Sequence, residues 1–230
     1  MVVAVRLNPK TLPAALVLGL LALGIPQTGD SILWVMTGDT PDQPGMASPS
    51  SVDAAARNAA LLERADNWFG DPKALIRAGI LRTRIATTSP DGTTPTVSTP
   101  ELDRAISDLT DGLTRAPANA IGWAALAEAS LDAGDRTRAR MELSTSLLLD
   151  EYDPELSLWR TALGLSLWND LNIDERRMWN DQVTMAWRKN REDLIALAHQ
   201  NSIYALLIRI PLLSDRTQLS EFDRMFNERH

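Results

Sequence analysis

The sequence predicts an all-α fold, and three of its features indicate helices. Alanine and leucine dominate the composition while β-branched residues are sparse, which favours helix over strand. From residue 52 onward, small and apolar side chains recur at helical spacing, first at Ala56, Ala59, Leu62 and Ala65. A helix-start signal, in which an N-cap residue precedes a proline at the first helical position, occurs three times, at Asp71-Pro72, Thr99-Pro100 and Asp153-Pro154.

These signals predict a series of helices with short connections. The predicted helices cover residues 52–68, 72–88, 101–116, 118–133, 135–149, 154–169, 174–188, 191–209 and 215–228. Gly70 ends the first helix, and Gly134 followed by Asp135 predicts a tight joint between two helices. Residues 203–210 have some strand character, but we interpret them as the end of a buried helix that Pro211 terminates.

Residues 1–36 predict a membrane or signal helix. Arg6 and Lys10 precede an apolar run over residues 12–25, and the charges that follow the run, from Asp30 onward, are acidic. The basic side of such a segment is retained in the cytoplasm, so the rest of the chain is expected on the outer face of the membrane.

Three interpretations of this segment are open. It has the length of the apolar core of a cleaved signal peptide. It also fits an uncleaved anchor in which residues 31–36, with Trp34, lie in the membrane interface. The third interpretation is a buried N-terminal helix of a cytoplasmic protein. We favour the anchor, with membrane contact through residues 12–36, which predicts a single-pass protein of the bacterial inner membrane whose C-terminal domain is periplasmic.

Two stretches have the composition of connecting segments. Residues 37–51 are rich in proline, glycine, serine and threonine, and predict a linker between the membrane segment and a helical domain over residues 52–230. Residues 87–99 are similarly low in hydrophobicity and split a helix pair. They are either a partner-recognition loop or a tolerated insertion.

Composition and charge exclude several classes of function. The net charge is −7, which disfavours nucleic acid as a partner because the phosphate backbone is also negative. The chain has no cysteine and only two histidines, His199 and His230, so thiolate chemistry and histidine-rich metal sites are excluded. No phosphate-binding glycine loop, calcium loop or nucleophile elbow occurs, and we expect no cofactor and no enzymatic activity.

A 34-residue period runs through the middle of the chain. Ala105 pairs with Ala139 at this spacing, and Leu109 pairs with Leu143. Pro117 follows where a helix should end, and an aromatic residue, a leucine and a small residue then open the next unit at Trp123, Leu126 and Ala127. Small residues such as Ala139 let two helices approach closely, while the leucines fill the space beside them.

This pattern resembles the tetratricopeptide repeat (TPR), in which antiparallel helix pairs stack as a solenoid. The resemblance covers residues 101–168, with Trp159 at the opening aromatic position of a shifted second unit. Ser130 replaces the tyrosine that the family prefers, and Glu175 stands where it has a small residue. The resemblance implies a short TPR-like stack whose packing positions are Ala105, Leu109, Trp123, Leu126, Ala127, Ala139, Leu143 and Trp159.

Several side chains are candidates for contact with a partner. Lys73, Arg77 and Arg84 fall on one side of a predicted helix, with Arg82 nearby, and form either a docking face or an ordinary solvated face. Five tryptophans lie between residues 123 and 187, and we interpret them mainly as core, with Trp168 partly exposed. Carboxylates cluster at Asp103, Asp108 and Asp111 and at Asp150, Glu151 and Asp153, which we interpret as caps and solvated faces rather than as an acid pair for glycoside hydrolysis.

The function predicted from these features is a membrane-tethered scaffold that binds a protein or peptide partner in the cell envelope. The layout resembles small envelope proteins that accompany polysaccharide synthesis or export. Two alternatives are an enzyme acting on envelope glycans and a purely structural single-pass subunit of a larger membrane complex.

Overall fold

A computed structural model of the chain describes residues 52–87 and 99–228. These residues form ten helices and no strand. The helices are α1 (Val52–Phe69), α2 (Pro72–Thr87), α3 (Thr99–Arg115), α4 (Ala120–Asp132), α5 (Arg136–Leu149), α6 (Ser157–Ser166), α7 (Ile173–Lys189), α8 (Arg191–His199), α9 (Ser202–Leu212) and α10 (Arg216–Glu228). The all-α prediction is thereby confirmed for this part of the chain. The predicted membrane segment, the linker and most of the 87–99 insertion lie outside the described residues.

Glycine and aspartate set two of the tight joints as predicted. Gly70 ends α1 with a φ of +66°, a conformation that glycine adopts without steric cost. Gly134, between α4 and α5, has a φ of +84°. The Asp135 side chain then accepts a hydrogen bond from the backbone N–H of Arg138 at 3.0 Å and caps α5.

The predicted helix over residues 191–209 is wrong, because the structure has two helices there. α8 ends at His199, and the side chain of Asn201 accepts a hydrogen bond from the backbone N–H of Ile203 at 2.9 Å, which starts α9. An asparagine that caps the next helix competes with continuation of the first one. Pro211 lies inside α9, one residue before its end, and does not terminate it. Nor is α9 fully buried: Leu206 is 63% exposed.

The start predicted at Asp153-Pro154 is also wrong. The backbone N–H of Glu155 donates to Asp153 at 2.8 Å, and the hydroxyl of Ser157 donates to the carbonyl of Pro154 at 2.7 Å. These bonds close a turn, so α6 begins only at Ser157.

Neighbouring helices pack against each other along the chain, and helices two apart also touch. Contacts join α2 to α4, α4 to α6 and α6 to α8, and a second series joins α5 to α7 and α7 to α9. α10 packs on α8 and α9 at the C-terminal end. The helices therefore lie in two adjacent rows, with odd-numbered helices from α5 onward in one row and even-numbered helices from α2 onward in the other.

Two apolar clusters form the core. The first gathers residues of α2, α3 and α4 around Leu109 and Leu126, and the second gathers residues of α4 to α10 around Trp179 and Trp187. Both of these tryptophans are completely buried, as the sequence predicts. Trp159, in the first turn of α6, is partly buried and packs against both clusters. Its ring is therefore an apolar link between the two parts of the core, beside α4, which contributes alanines to both.

Gly164 allows α6 and α7 to approach closely. The Trp179 indole lies over this glycine and donates a hydrogen bond to the carbonyl of Thr161 at 3.0 Å. A Cβ added at Gly164 would overlap the indole ring. The missing side chain thus makes room for the largest residue of the core.

Arg160 is completely buried and joins four helices. From α6, its guanidinium donates to the carbonyls of Ser146 at 2.7 Å and Asp150 at 2.5 Å, at the C-terminal end of α5. It also donates to the hydroxyl of Ser146 at 3.1 Å, and that hydroxyl donates to the carbonyl of Ala120 in α4 at 2.7 Å. The amide oxygen of Gln182 in α7 lies 3.4 Å away. Burial lowers the pKa of Arg160.

Arginines of α5 also connect successive helix pairs. Arg136 forms an ion pair with Asp170 at 2.6 Å and donates to the carbonyl of Ser166. Arg140 forms an ion pair with Glu175 at 2.9 Å. Glu175 also completes a capping box with Asn172 at the start of α7. A glutamate at this position therefore has a structural role that a small residue would not provide.

We expect Gly164→Ala to destabilise the protein by about 3 kcal/mol, because the added methyl group displaces the buried Trp179 ring. Helix propensity alone predicts the opposite sign, since alanine stabilises a helix relative to glycine by about 1 kcal/mol. Urea unfolding followed by circular dichroism measures the difference. Ser166→Ala, on the same helix, is the matched control and should change stability by less than about 0.5 kcal/mol. A Gly164→Ala protein as stable as this control would contradict the packing described.

We expect Arg160→Lys to cost about 3 kcal/mol although it keeps the charge, because an ammonium group cannot reproduce the fork of donors. Arg138→Lys is the control, since Arg138 is 38% exposed and pairs with Glu142 within one helix. The control should cost under about 1 kcal/mol in the same unfolding experiment. Equal losses for the two variants would show that the buried network is not specific to arginine.

Candidate functional site

The predicted repeat-packing positions lie inside the described domain. Six of them are buried: Ala105, Leu109, Leu126, Ala127, Ala139 and Leu143. Trp123 and Trp159 are partly buried, and the indole N–H of Trp123 donates to the carbonyl of Pro117 at 2.8 Å. These positions therefore pack helices together, while their membership of a TPR-type repeat stays a prediction.

The basic residues of α2 differ in how far they are buried. Lys73 is exposed, Arg77 and Arg84 are partly buried, and Arg82 is buried. Arg82 therefore takes no part in a solvent-facing surface of this helix. Its guanidinium forms ion pairs with Glu63 of α1, with Glu101 of α3 at 3.1 Å and with Asp108 of α3 at 2.9 Å. Arg82 is an internal cation that holds α1, α2 and α3 together.

The acidic cluster around Asp108 is divided between the interior and the surface. Asp108 pairs with Arg82, while Asp103 and Asp111 are exposed. Burial raises the pKa of Asp108 to about 6, and the nearby Arg82 opposes that rise. An open cleft of about 570 Å³ lies beside this pair, lined by Glu63, Asp66, Asp108, Asp111, Thr114 and Arg115 among others. Because Arg82 and Arg115 already neutralise carboxylates there, we assign the cleft a structural role.

A second set of polar side chains lies along the row of even-numbered helices. Glu128 and Asp132 are one helical turn apart on α4, and both are partly buried. Arg84 of α2 and Trp159 of α6 act on the Glu128 carboxyl from the helices on either side. We call Arg84, Glu128, Asp132 and Trp159 the α4 acidic site.

Burial dominates the electrostatics of the α4 acidic site. Desolvation raises the pKa of Glu128 to about 7, and the charge of Asp132 acts in the same direction. The positive charge of Arg84 and the nearby Trp159 indole oppose that rise. Desolvation also raises the pKa of Asp132. The site therefore holds a carboxyl group whose charge changes near neutral pH, between a cation and an aromatic ring.

Trp168 does not belong to this site. It follows the C-terminal end of α6, whereas Trp159 lies in the first turn of that helix. Trp168 is partly exposed, as predicted, and packs edge-on against Trp179 with ring centroids 5.1 Å apart. The Arg176 guanidinium lies 4.7 Å from the centre of the Trp168 ring, in a cation–π arrangement. Trp168 thus packs against residues of α7 rather than within the α4 acidic site.

Sequence reasoning missed the α4 acidic site, although one signal pointed to it. Helix α4 reads AIGWAALAEASLD, and the only charged residues in this alanine-rich stretch are Glu128 and Asp132. A carboxylate in a helix that is otherwise buried is costly unless it has partners. The partners come from α2 and α6, which are distant in sequence, so their approach could not be deduced from the local pattern.

The described residues contain no group of three or more side chains able to hold a metal ion. Among the helices described, none is both long enough and apolar enough to cross a membrane. Comparison with known proteins gives no match: no family model fits the chain, and no curated protein or solved structure is significantly similar to it.

We expect Glu128→Gln to stabilise the protein at pH 8 by about 1–3 kcal/mol and to have little effect near pH 4.5. A carboxyl whose pKa rises on folding binds its proton more tightly in the native state. Its ionisation therefore destabilises the fold progressively as the pH rises from about 4.5 to 7. Glutamine keeps the shape and removes the charge.

Urea unfolding at several pH values measures this effect as the difference between variant and parent. Asp103→Asn removes an exposed carboxylate of α3 and is the matched control. If Glu128→Gln and Asp103→Asn gave parallel profiles, the burial of Glu128 would not govern its ionisation.

Proposed function

We propose that this chain is a TPR-like binding protein, tethered by its N-terminal segment at the periplasmic face of a bacterial inner membrane, where it acts as a scaffold in an envelope complex. The packing of helices in two rows is the observation that carries this proposal. A stack in which each helix touches the next, and most also touch the next but one, leaves an extended face along each row. Such faces suit peptides and partner helices.

Contacts between successive helix pairs support the repeat. Arg136 and Asp170 are 34 residues apart, and Arg140 and Glu175 are 35 apart. These separations match the 34-residue period of the apolar positions. Equivalent side chains of neighbouring units would therefore meet at a regular interval, as in a TPR-like stack.

The α4 acidic site is the partner-contact surface that we favour. It combines two carboxyl groups, a guanidinium and an indole on the row formed by α2, α4 and α6. Aromatic and arginine side chains are enriched in protein interfaces, and a carboxylate selects a basic group on the partner. The partner expected is therefore a protein or peptide that presents a lysine or arginine beside an apolar residue.

Binding explains the acidic residues better than catalysis does. Asp108 and Glu63 are occupied by Arg82, and Asp66 is occupied by Arg115. Glu128 and Asp132 lie on one helix, next to each other, rather than on opposite sides of a cleft that could enclose a sugar ring. We therefore propose no reaction for this chain.

The test is in-vivo crosslinking of the full-length chain in a bacterial host, with membrane fractionation and mass spectrometry. We expect membrane retention with Met1 intact and capture of a discrete envelope partner. Asp132→Lys should reduce capture at least about tenfold by placing a like charge opposite the partner's basic group. Asp103→Lys makes the same charge change on an exposed position of α3 and should leave capture unchanged.

Two results would count against the proposal. Capture of nothing above background in repeated crosslinking would argue against a scaffold. Equal capture by the Asp132→Lys and Asp103→Lys proteins would show that the partner binds elsewhere than the α4 acidic site.

A further inference from the structure

Helix α9 presents a row of aliphatic side chains to solvent. Ile203 is 58% exposed, Leu206 63%, Ile210 48% and Leu213, directly after the helix, 60%. We call these four residues the α9 stripe. The opposite side of the helix is buried in the second core cluster through Ala205, Leu207, Ile208 and Leu212. Helix α9 is therefore apolar on both sides, although only one side is covered.

The neighbours of α9 in the described part of the chain leave the stripe open. Helices α7, α8 and α10 pack against α9, and Arg209 of α9 pairs with Asp223 of α10 at 3.0 Å. These contacts fix the covered side of the helix. A contiguous exposed apolar row of this kind marks an interaction surface when it lies on an otherwise well-packed element.

We propose that the α9 stripe is the contact between two copies of this chain, in which the two α9 helices pack antiparallel about a twofold axis. The spacing of the stripe carries this inference. Its residues are separated by three, four and three positions, so the row reads the same in both directions. When one helix is reversed against the other, Ile203 faces Leu213 of the second copy and Leu206 faces Ile210 of the second copy.

Each facing pair then consists of one isoleucine and one leucine. A β-branched side chain opposite a longer, γ-branched one lets the two rows interdigitate. Opposed helices also place unlike ends of their dipoles side by side, which is favourable. The α9 stripe of one copy thus fits the α9 stripe of a second copy that runs antiparallel to it.

The α9 stripe also avoids the charge repulsion between two copies of this chain. The chain carries a net charge of −7, so two copies repel each other unless they meet on a neutral face. Arg209 is the only charged residue within α9, and Asp223 already binds it. A helix that lies on a lipid surface has a polar face rich in lysine and arginine, which α9 lacks. The contact is a single pair of short helices, so we expect a dissociation constant in the micromolar range, about 1–100 μM.

The first experiment measures self-association of the full-length chain in detergent micelles by sedimentation equilibrium. We expect a monomer–dimer equilibrium that Leu206→Glu weakens at least about tenfold, because it would bury two like charges near the twofold axis. Leu148→Glu is the matched control, since Leu148 is a 70% exposed leucine of α5. Both substituted positions are exposed, and circular dichroism shows whether each variant keeps its helix content and unfolding midpoint.

The second experiment tests the antiparallel register by disulfide formation, which is clean because the chain has no cysteine. Copies with Ile203→Cys and copies with Leu213→Cys, carrying different tags, are mixed and oxidised. We expect disulfides between unlike copies and none in either variant alone, because like positions lie at opposite ends of the helix pair. Ile173→Cys, at an exposed isoleucine of α7, should form no disulfide with either variant.

Several results would overturn the proposal. These are a monomeric parent at all concentrations, equal dimerisation of the Leu206→Glu and Leu148→Glu proteins, and disulfides within Ile203→Cys alone, which would indicate a parallel pair. Binding of a different protein or of lipid vesicles to the stripe while the chain stays monomeric would also overturn it. None of these results tests the α4 acidic site. The proposed scaffold function is tested independently, by the crosslinking experiment.

Discussion

A buried guanidinium, that of Arg160, is the interaction on which the middle of the fold depends. Its hydrogen-bond partners are carbonyl, hydroxyl and amide oxygens at the end of α5 and in α7. One of them, the Ser146 hydroxyl, also donates a hydrogen bond to α4. Burying a cation is costly unless every donor finds an acceptor in the right place. The network therefore stabilises only the arrangement in which the four helices keep their positions. The positive charge of Arg160 also offsets the partial negative charge at the C-terminal end of α5.

The N-terminal helices bury an arginine in a different way. Arg82 lies among Glu63, Glu101 and Asp108, so its charge is more than matched by carboxylates. Desolvation raises the pKa of Asp108 to about 6, and Glu63 and Asp111 act in the same direction. The direct hydrogen-bond partners of Arg160 are instead neutral oxygens. Ion pairs of this kind add little net stability but define which helices meet. Both arginines specify packing, one by charge and the other by the geometry of its donors.

Local rules predicted most helix positions correctly because the residues that end and cap the helices are easy to recognise in the sequence. Gly70, Gly134 and Asp135 act through their own backbone and side chains, so their effects can be read from sequence. The errors arose where two local signals compete. Asn201, for example, caps a new helix within an apolar run that favours continuation of the preceding helix. The α4 acidic site and the burial of Arg82 depend on residues brought together from separate helices, and no period in the sequence encodes that approach. The sequence shows an acidic residue at Glu128, but it does not show which residues of other helices surround it.

Trp159 has a further consequence for how the domain comes apart. Its ring packs against both core clusters, so opening either cluster removes contacts from the other. Arrays of helix pairs otherwise fray from their ends, one unit at a time. A shared aromatic ring raises the free energy of such partial opening at the centre and couples the two halves. Since the Trp159 indole also acts on the Glu128 carboxyl, a change in the charge of that group acts at the boundary between the two clusters.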